Sequence, residues 1–222
     1  MKTIKTYLTT LITIVIIMIL VILFVKFNPF KNTEPEYNLV VDLSPEQIAD
    51  LEFRLEENFK RLELFPNTYE VFIDLGNIEK SLGHASKAIN YYTRAWEIIP
   101  ANSTPWINIG NVYLSLKMYD KAEEAFLKAK NINPAYPINY LNLADLYQNY
   151  LKDKSDQIRG IYLEGLATVE KDEELLVPFA TYLYESHNYS EAKLYFERLK
   201  EMYPERTDFQ EMIDLINQQI AE

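Results

Sequence analysis

The sequence predicts an all-α chain of stacked helical hairpins, and three observations carry that prediction. The chain resembles itself at a shift of 34 residues, proline recurs at the end of the repeating unit, and only 5 of 222 residues are glycine. On that shift Phe72 pairs with Trp106, Leu75 with Ile109, Gly76 with Gly110 and Asn77 with Asn111. Further along, Ala88 pairs with Ala122, Tyr92 with Phe126, Ala95 with Ala129 and Pro100 with Pro134, and Pro66 holds the equivalent place before them. A fixed period in this range marks a unit that cannot bury its apolar face alone and stacks on copies of itself. Scarce glycine disfavours phosphate-cradling loops and hairpin-rich sheets.

Residues 1–26 are expected to form a membrane anchor. Leu8 to Val25 carries no charge, and its polar residues are only Thr9, Thr10 and Thr13. At 1.5 Å per residue this run spans roughly 27 Å, close to the hydrocarbon thickness of a bilayer. A cleaved signal peptide is the rival reading. Its apolar core would be about 7–15 residues with small residues at the cleavage site, which Phe24-Val25-Lys26-Phe27-Asn28-Pro29 does not offer. The chain has no cysteine, so it has no lipoprotein acylation site, disulfide or thiolate metal ligand. Lys2 and Lys5 precede the run and Lys26 and Lys31 follow it, which ties the positive-inside count. The expectation is a single-pass protein with its repeats outside the cytoplasm.

Residues 27–43 read as a linker broken by Pro29 and Pro35. Residues 44–66 are expected to form an N-terminal capping helix. Ser44 caps it, Pro45 takes the first turn, Gln47 completes a capping box, and Leu43 and Ile48 can staple across it. Its apolar stripe is Ile48, Leu51, Leu55, Phe59 and Leu62.

Four repeats then fill residues 69–206, as 69–102, 103–136, 137–172 and 173–206. In the second, small Gly110 and Ala122 let two antiparallel helices approach, Trp106, Ile109, Tyr113 and Phe126 fill the space beside them, and Pro134 ends the hairpin. The third places Tyr140, Leu143, Ala144 and Tyr147 on its first helix. Its second helix stays in register only with two extra residues, assigned to the charged turn Lys152-Asp153-Lys154-Ser155-Asp156. The fourth keeps Phe179, Ala180, Leu183, Ala192, Phe196 and Pro204 in register, and Pro178 is expected to delay its first helix by a few residues. Residues 207–222 are expected to form a terminal capping helix with Phe209, Met212, Ile213, Ile216 and Ile220 on one face.

The segment Trp106-Ile107-Asn108-Ile109-Gly110-Asn111-Val112-Tyr113, with Ala122, Phe126, Ala129 and Pro134, resembles the tetratricopeptide repeat (TPR), and the resemblance extends over residues 69–206. It implies a right-handed superhelix whose concave groove is lined by the first helix of each pair. Counting from Phe72, Trp106 and Tyr140, the inward places fall on Asp74, Asn108 and Asn142, and then on Asn77, Asn111 and Asp145. All six are Asn or Asp, poor formers of helix interiors. An amide offers a donor and an acceptor together and so can hold a peptide backbone without regard to side chain. The alternative is that these residues bond neighbouring helices or meet water. The family also includes a clamp for chaperone C-terminal carboxylates. Asn77 and Asn108 match its asparagines, but its basic places hold Ile73, Ile138 and Asn142, so the cations a carboxylate needs are missing.

The expected partner is therefore a protein or extended peptide, and the alternative is an architectural or self-associating subunit of a membrane-associated complex. No catalytic, cofactor or metal motif appears, and His84 and His187 read as surface residues in separate turns. Tyr91, Tyr92, Tyr162 and Tyr195 read as packing between repeats. The formal charge is −11, and beyond residue 31 the chain holds 18 basic and 33 acidic residues. Such a surface repels phosphate backbones, which argues against nucleic acid. No enzyme activity and no small-molecule substrate are expected.

Overall fold

The computed structural model describes residues 36–169 and 173–221. The expected anchor and most of its linker, residues 1–35, lie outside the described residues. Among the described residues there are ten α-helices, one 3-10 helix and no strand, and no helix is long and apolar enough to cross a membrane.

Helix α1 (Pro45–Leu64) opens the fold with the capping box the sequence specifies. The Gln47 backbone N–H donates to Ser44 Oγ at 3.2 Å, and the Ser44 N–H donates to Gln47 Oε1 at 2.8 Å. Three hairpins follow: α2 (Tyr69–Ser81) with α3 (Ala85–Ile98), α4 (Thr104–Ser115) with α5 (Tyr119–Ile132), and α6 (Ile138–Asn149) with α7 (Ile158–Thr168). The fourth pairs α8 (Glu173–Glu185) with α9 (Tyr189–Met202), and α10 (Asp208–Ala221) packs on α9. Each first helix packs on its own second helix, and each second helix on the next first helix.

Within a hairpin, glycine sets the approach. A Cβ on Gly76 would lie 2.5 Å from Tyr92 Cε1, and one on Gly110 would lie 2.3 Å from Phe126 Cε1. The partner of Gly110 is thus the Phe126 ring edge, whereas the sequence paired it with Ala122. Turn residues with positive φ close three hairpins: Gly83 at 87°, Lys117 at 59° and His187 at 60°. The core forms two clusters. One holds Ala85, Ala88, Tyr92, Ile109, Val112 and Ala125, and the larger runs from Ala122 and Phe126 to Phe209 and Ile216 in α10.

Four expectations need correction. Pro178 does not delay its helix: α8 begins at Glu173 and carries the proline inside, because Leu175, Leu176, Phe179, Ala180 and Leu183 all bury. In α1, Leu51, Leu55 and Leu62 are half-buried, but Ile48 and Phe59 are exposed and the one buried side chain is Asn58. An end helix has a neighbour on one side only. In α10, Phe209, Ile213 and Ile216 bury while Ile220 is half exposed at 50%. Finally, the C-terminal part of the expected linker is docked. The Leu39 N–H donates to Gly83 O at 2.6 Å, the Ser86 N–H to Tyr37 O at 3.1 Å and the Tyr37 N–H to Ser86 Oγ at 2.6 Å.

The two extra residues of the third repeat fall where the sequence put them. They feed a 3-10 helix, Lys152–Gln157, between α6 and α7. Lys154 Nζ donates to Glu123 Oε1 at 2.6 Å and so ties this insertion back to α5.

Candidate functional site

The six polar residues singled out in the sequence stand in pairs on three successive first helices. Asp74 and Asn77 are on α2, Asn108 and Asn111 on α4, and Asn142 and Asp145 on α6. A separation of three residues keeps each pair on one helical face. None is buried: Asn77 and Asp145 are exposed and the other four half-buried.

Their commitments differ. Arg61 Nη1 reaches Asp74 Oδ2 at 3.4 Å, so the first acid is paired by a cation from α1. The Tyr92 hydroxyl donates to Asn77 Oδ1 at 2.8 Å. Asn149 Nδ2 donates to Asp145 Oδ1 at 2.7 Å. Asn142 has a buried Nδ2 with no acceptor. Among the described residues, the side chains of Asn108 and Asn111 make no hydrogen bond at all. The identical offset in the sequence therefore conceals different states. The polar pair of repeat 1 is met by Arg61 of α1 and by Tyr92 of its own second helix, while repeat 2 leaves both amides open.

That difference has a cause one helix away. The residue under Asn77 is Tyr92, whose hydroxyl meets the amide; its counterpart in repeat 2 is Phe126, which has no hydroxyl to offer. Burial pushes the Tyr92 hydroxyl well above the usual tyrosine range, so it remains a donor.

Around this face several polar groups serve the stack, and repeat spacing alone did not reveal them. Glu79 is 3% exposed, and His84 Nδ1 lies 2.6 Å from its Oε2. His84 is thus the partner of a buried acid, although its side chain also meets solvent. Asn139 is wholly buried and donates from Nδ2 to Asn133 O at 2.7 Å, closing the corner between repeats 2 and 3. Lys128 Nζ sits 3.6 Å from the Trp106 ring centroid and 4.3 Å from that of Trp96, and burial lowers its pKa. Of the four tyrosines, Tyr92 packs on Gly76 within its own repeat. Tyr162 stacks across a repeat boundary, its ring centroid 5.2 Å from that of Phe179.

Comparison with known proteins bears on the fold. Residues 69–102 and 104–136 each match a family model described as tetratricopeptide repeat. No curated protein matches the chain in sequence. Among solved structures, MamA superposes with a TM-score of 0.54 at 16% identity, covering 76% of this chain and 99% of that one. A thermophilic TPR protein of Thermus thermophilus superposes with a TM-score of 0.52 at 17% identity, over 76% and 91% of the two chains. YrrB, described as a TPR protein with an unusual peptide-binding site, gives 0.50 at 20% identity over 75% and 85%. At these identities the likeness is one of fold. With the hairpins and their glycine–aromatic contacts in place, residues 69–102 and 104–136 are tetratricopeptide repeats within an all-α superhelix.

Proposed function

We propose that this chain is a protein-interaction scaffold whose first-helix face holds an extended segment of a partner polypeptide, and that residues 1–26 tether it to a membrane. The observation that carries the peptide reading is the open state of Asn108 and Asn111 beside satisfied counterparts in repeat 1. Two uncommitted amides on one face present donors and acceptors at the spacing of one helical turn, which suits a main chain. A protein of similar fold, YrrB, is described as having a peptide-binding site. TPR folds serve mainly as interaction scaffolds, and no catalytic role is assigned to any residue.

Replacing Asn108 and Asn111 together by Ala tests it. If two net hydrogen bonds of about 0.5–1 kcal/mol each are lost, every client weakens by a similar factor on the order of tenfold. The helical content stays unchanged, because neither residue is buried. An unchanged set of co-purifying partners would remove the face from consideration. The tether is tested by fractionation: the full chain is expected to need detergent, and recovery of an intact chain in the soluble fraction contradicts it.

A second reading, self-association, is favoured by α1 and the residue after it. Phe53, Leu64 and Phe65 are 62%, 73% and 66% exposed at the open end of the stack. Replacing all three by Ser is expected to leave oligomeric state unchanged under the peptide reading, and to dissociate oligomers under this one.

A further inference from the structure

The charge on the first-helix face is not spread along it. Asp74 is paired with Arg61, but Asp145 on α6 and Glu185 on α8 have no cation partner among the described residues. Each accepts a single neutral bond: Asn149 Nδ2 donates to Asp145 at 2.7 Å, and Gln148 Nε2 donates to Glu185 at 3.0 Å. Both carboxylates are exposed.

Beneath them lies Tyr162. Its side chain is 5% exposed, with its ring centroid 5.2 Å from that of Phe179 and 5.9 Å from that of Tyr182. Tyr162 is the counterpart of Tyr92, and Asp145 is the counterpart of Asn77. In repeat 1 that pair of positions forms a hydrogen bond of 2.8 Å, whereas in repeat 3 the Tyr162 hydroxyl has no partner among the described residues. Its pKa is pushed up to about 12, first by burial and then by the charges of Asp145, Glu185 and Tyr182. The two acids are held by adjacent residues of one helix, Gln148 and Asn149, and the Tyr162 oxygen reaches solvent from an otherwise buried side chain with no partner among the described residues.

We propose that the junction of repeats 3 and 4 receives a basic side chain, Lys or Arg, of the bound polypeptide, between Asp145, Glu185 and the Tyr162 hydroxyl. This rests on the peptide-binding reading and adds a direction to it: the backbone lies over Asn108 and Asn111, and the cation follows toward α8. A Lys ammonium carries three donors and a guanidinium five, enough to meet two carboxylates and a phenolic oxygen together. A carboxylate or phosphate would meet two uncompensated negative charges. Neighbouring charges leave the point acidic. Arg159 is taken by Glu191 at 2.7 Å, while Lys152 and Asp156, which line one cleft of about 480 Å³ with Glu185, oppose one another in sign.

The test uses the full chain in detergent and Ala–Ser peptides carrying a single Lys, Gln or Glu, read by fluorescence polarisation. The Lys peptide is expected to bind about five- to tenfold tighter than the Gln peptide, as a partly exposed charge-assisted contact should. The Glu peptide is expected to bind more weakly than Gln. The preference is expected to vanish in Asp145→Asn/Glu185→Gln and to survive in Glu201→Gln/Glu205→Gln, which removes as many negative charges but elsewhere. Unchanged Gln-peptide affinity in the first variant shows that it is folded. Equal affinity for Lys and Gln, or a preference that survives Asp145→Asn/Glu185→Gln, overturns the cation site alone. Failure of all three peptides to bind overturns the peptide-binding reading together with it.

Discussion

Gly110 and Gly160 are both helical glycines, yet they answer to opposite physics. A Cβ on Gly110 would enter the edge of Phe126, which is 1% exposed and cannot swing into solvent, while one on Gly160 would meet nothing within 4 Å. Alanine is favoured over glycine in a helix by about 0.8–1.0 kcal/mol. Overpacking a core contact costs about 1–3 kcal/mol, which exceeds that gain. Gly110→Ala is therefore expected to lower the melting temperature and Gly160→Ala to raise it, and Phe126→Leu should partly rescue Gly110→Ala. Shifts of the same sign at both glycines would show that the ring contact is not what selects Gly110. At this scale the sequence was informative about place and less so about partner. The repeat offset located Gly110, but not the ring that reaches across from the facing helix. Buried Glu79 was equally hidden, because the matching positions hold Tyr113, Tyr147 and Leu183 and nothing in the pattern marks a carboxylate as core.

Among the elements, the 3-10 insertion shows how an irregular segment is held. Burial alone would raise the Glu123 carboxyl, yet the bonds from Lys154 and Tyr147 outweigh it and hold its pKa below the ordinary value. A carboxylate depressed on folding contributes stability that is present above its unfolded pKa and is lost as pH falls through the folded one. Wild type is thus expected to exceed Glu123→Gln in melting temperature at about pH 7, with the gap closing as the pH drops below the usual carboxylate range of about 4. A gap that stays constant down to strongly acidic pH would dissociate the insertion from this ion pair. Helix boundaries followed the sequence where a local signal decided them, as at the Ser44 capping box. They departed from it where burial competed with propensity. Pro178 forfeits one backbone donor inside α8, but five buried side chains hold that helix in place on either side of it. The docking of Tyr37 and Leu39 on the Gly83 turn was not legible, since a strap held by backbone bonds has no periodicity to read.

The described helices form a stack in which each hairpin buries its neighbour's face, and the same regularity that makes the fold legible makes the site only half so. Offsets from Phe72, Trp106 and Tyr140 placed all six polar residues on the first-helix face, but they gave no hint that Arg61 pairs Asp74 or that Tyr92 occupies Asn77. The second partner in each case comes from a different helix, so spacing along one helix cannot report it. What remains open after these pairs are removed is the face of repeat 2 and the acidic junction beyond it, where the proposed partner polypeptide would lie. The most direct measurement places a photo-reactive residue at Ser115, which is exposed one turn beyond Asn111, in the full chain in intact cells. A matched chain carries it at Leu194, 64% exposed on the second helix α9. Illumination is expected to link a polypeptide to the chain through Ser115 and not through Leu194. Crosslinks from Leu194 with none from Ser115 would contradict the proposal.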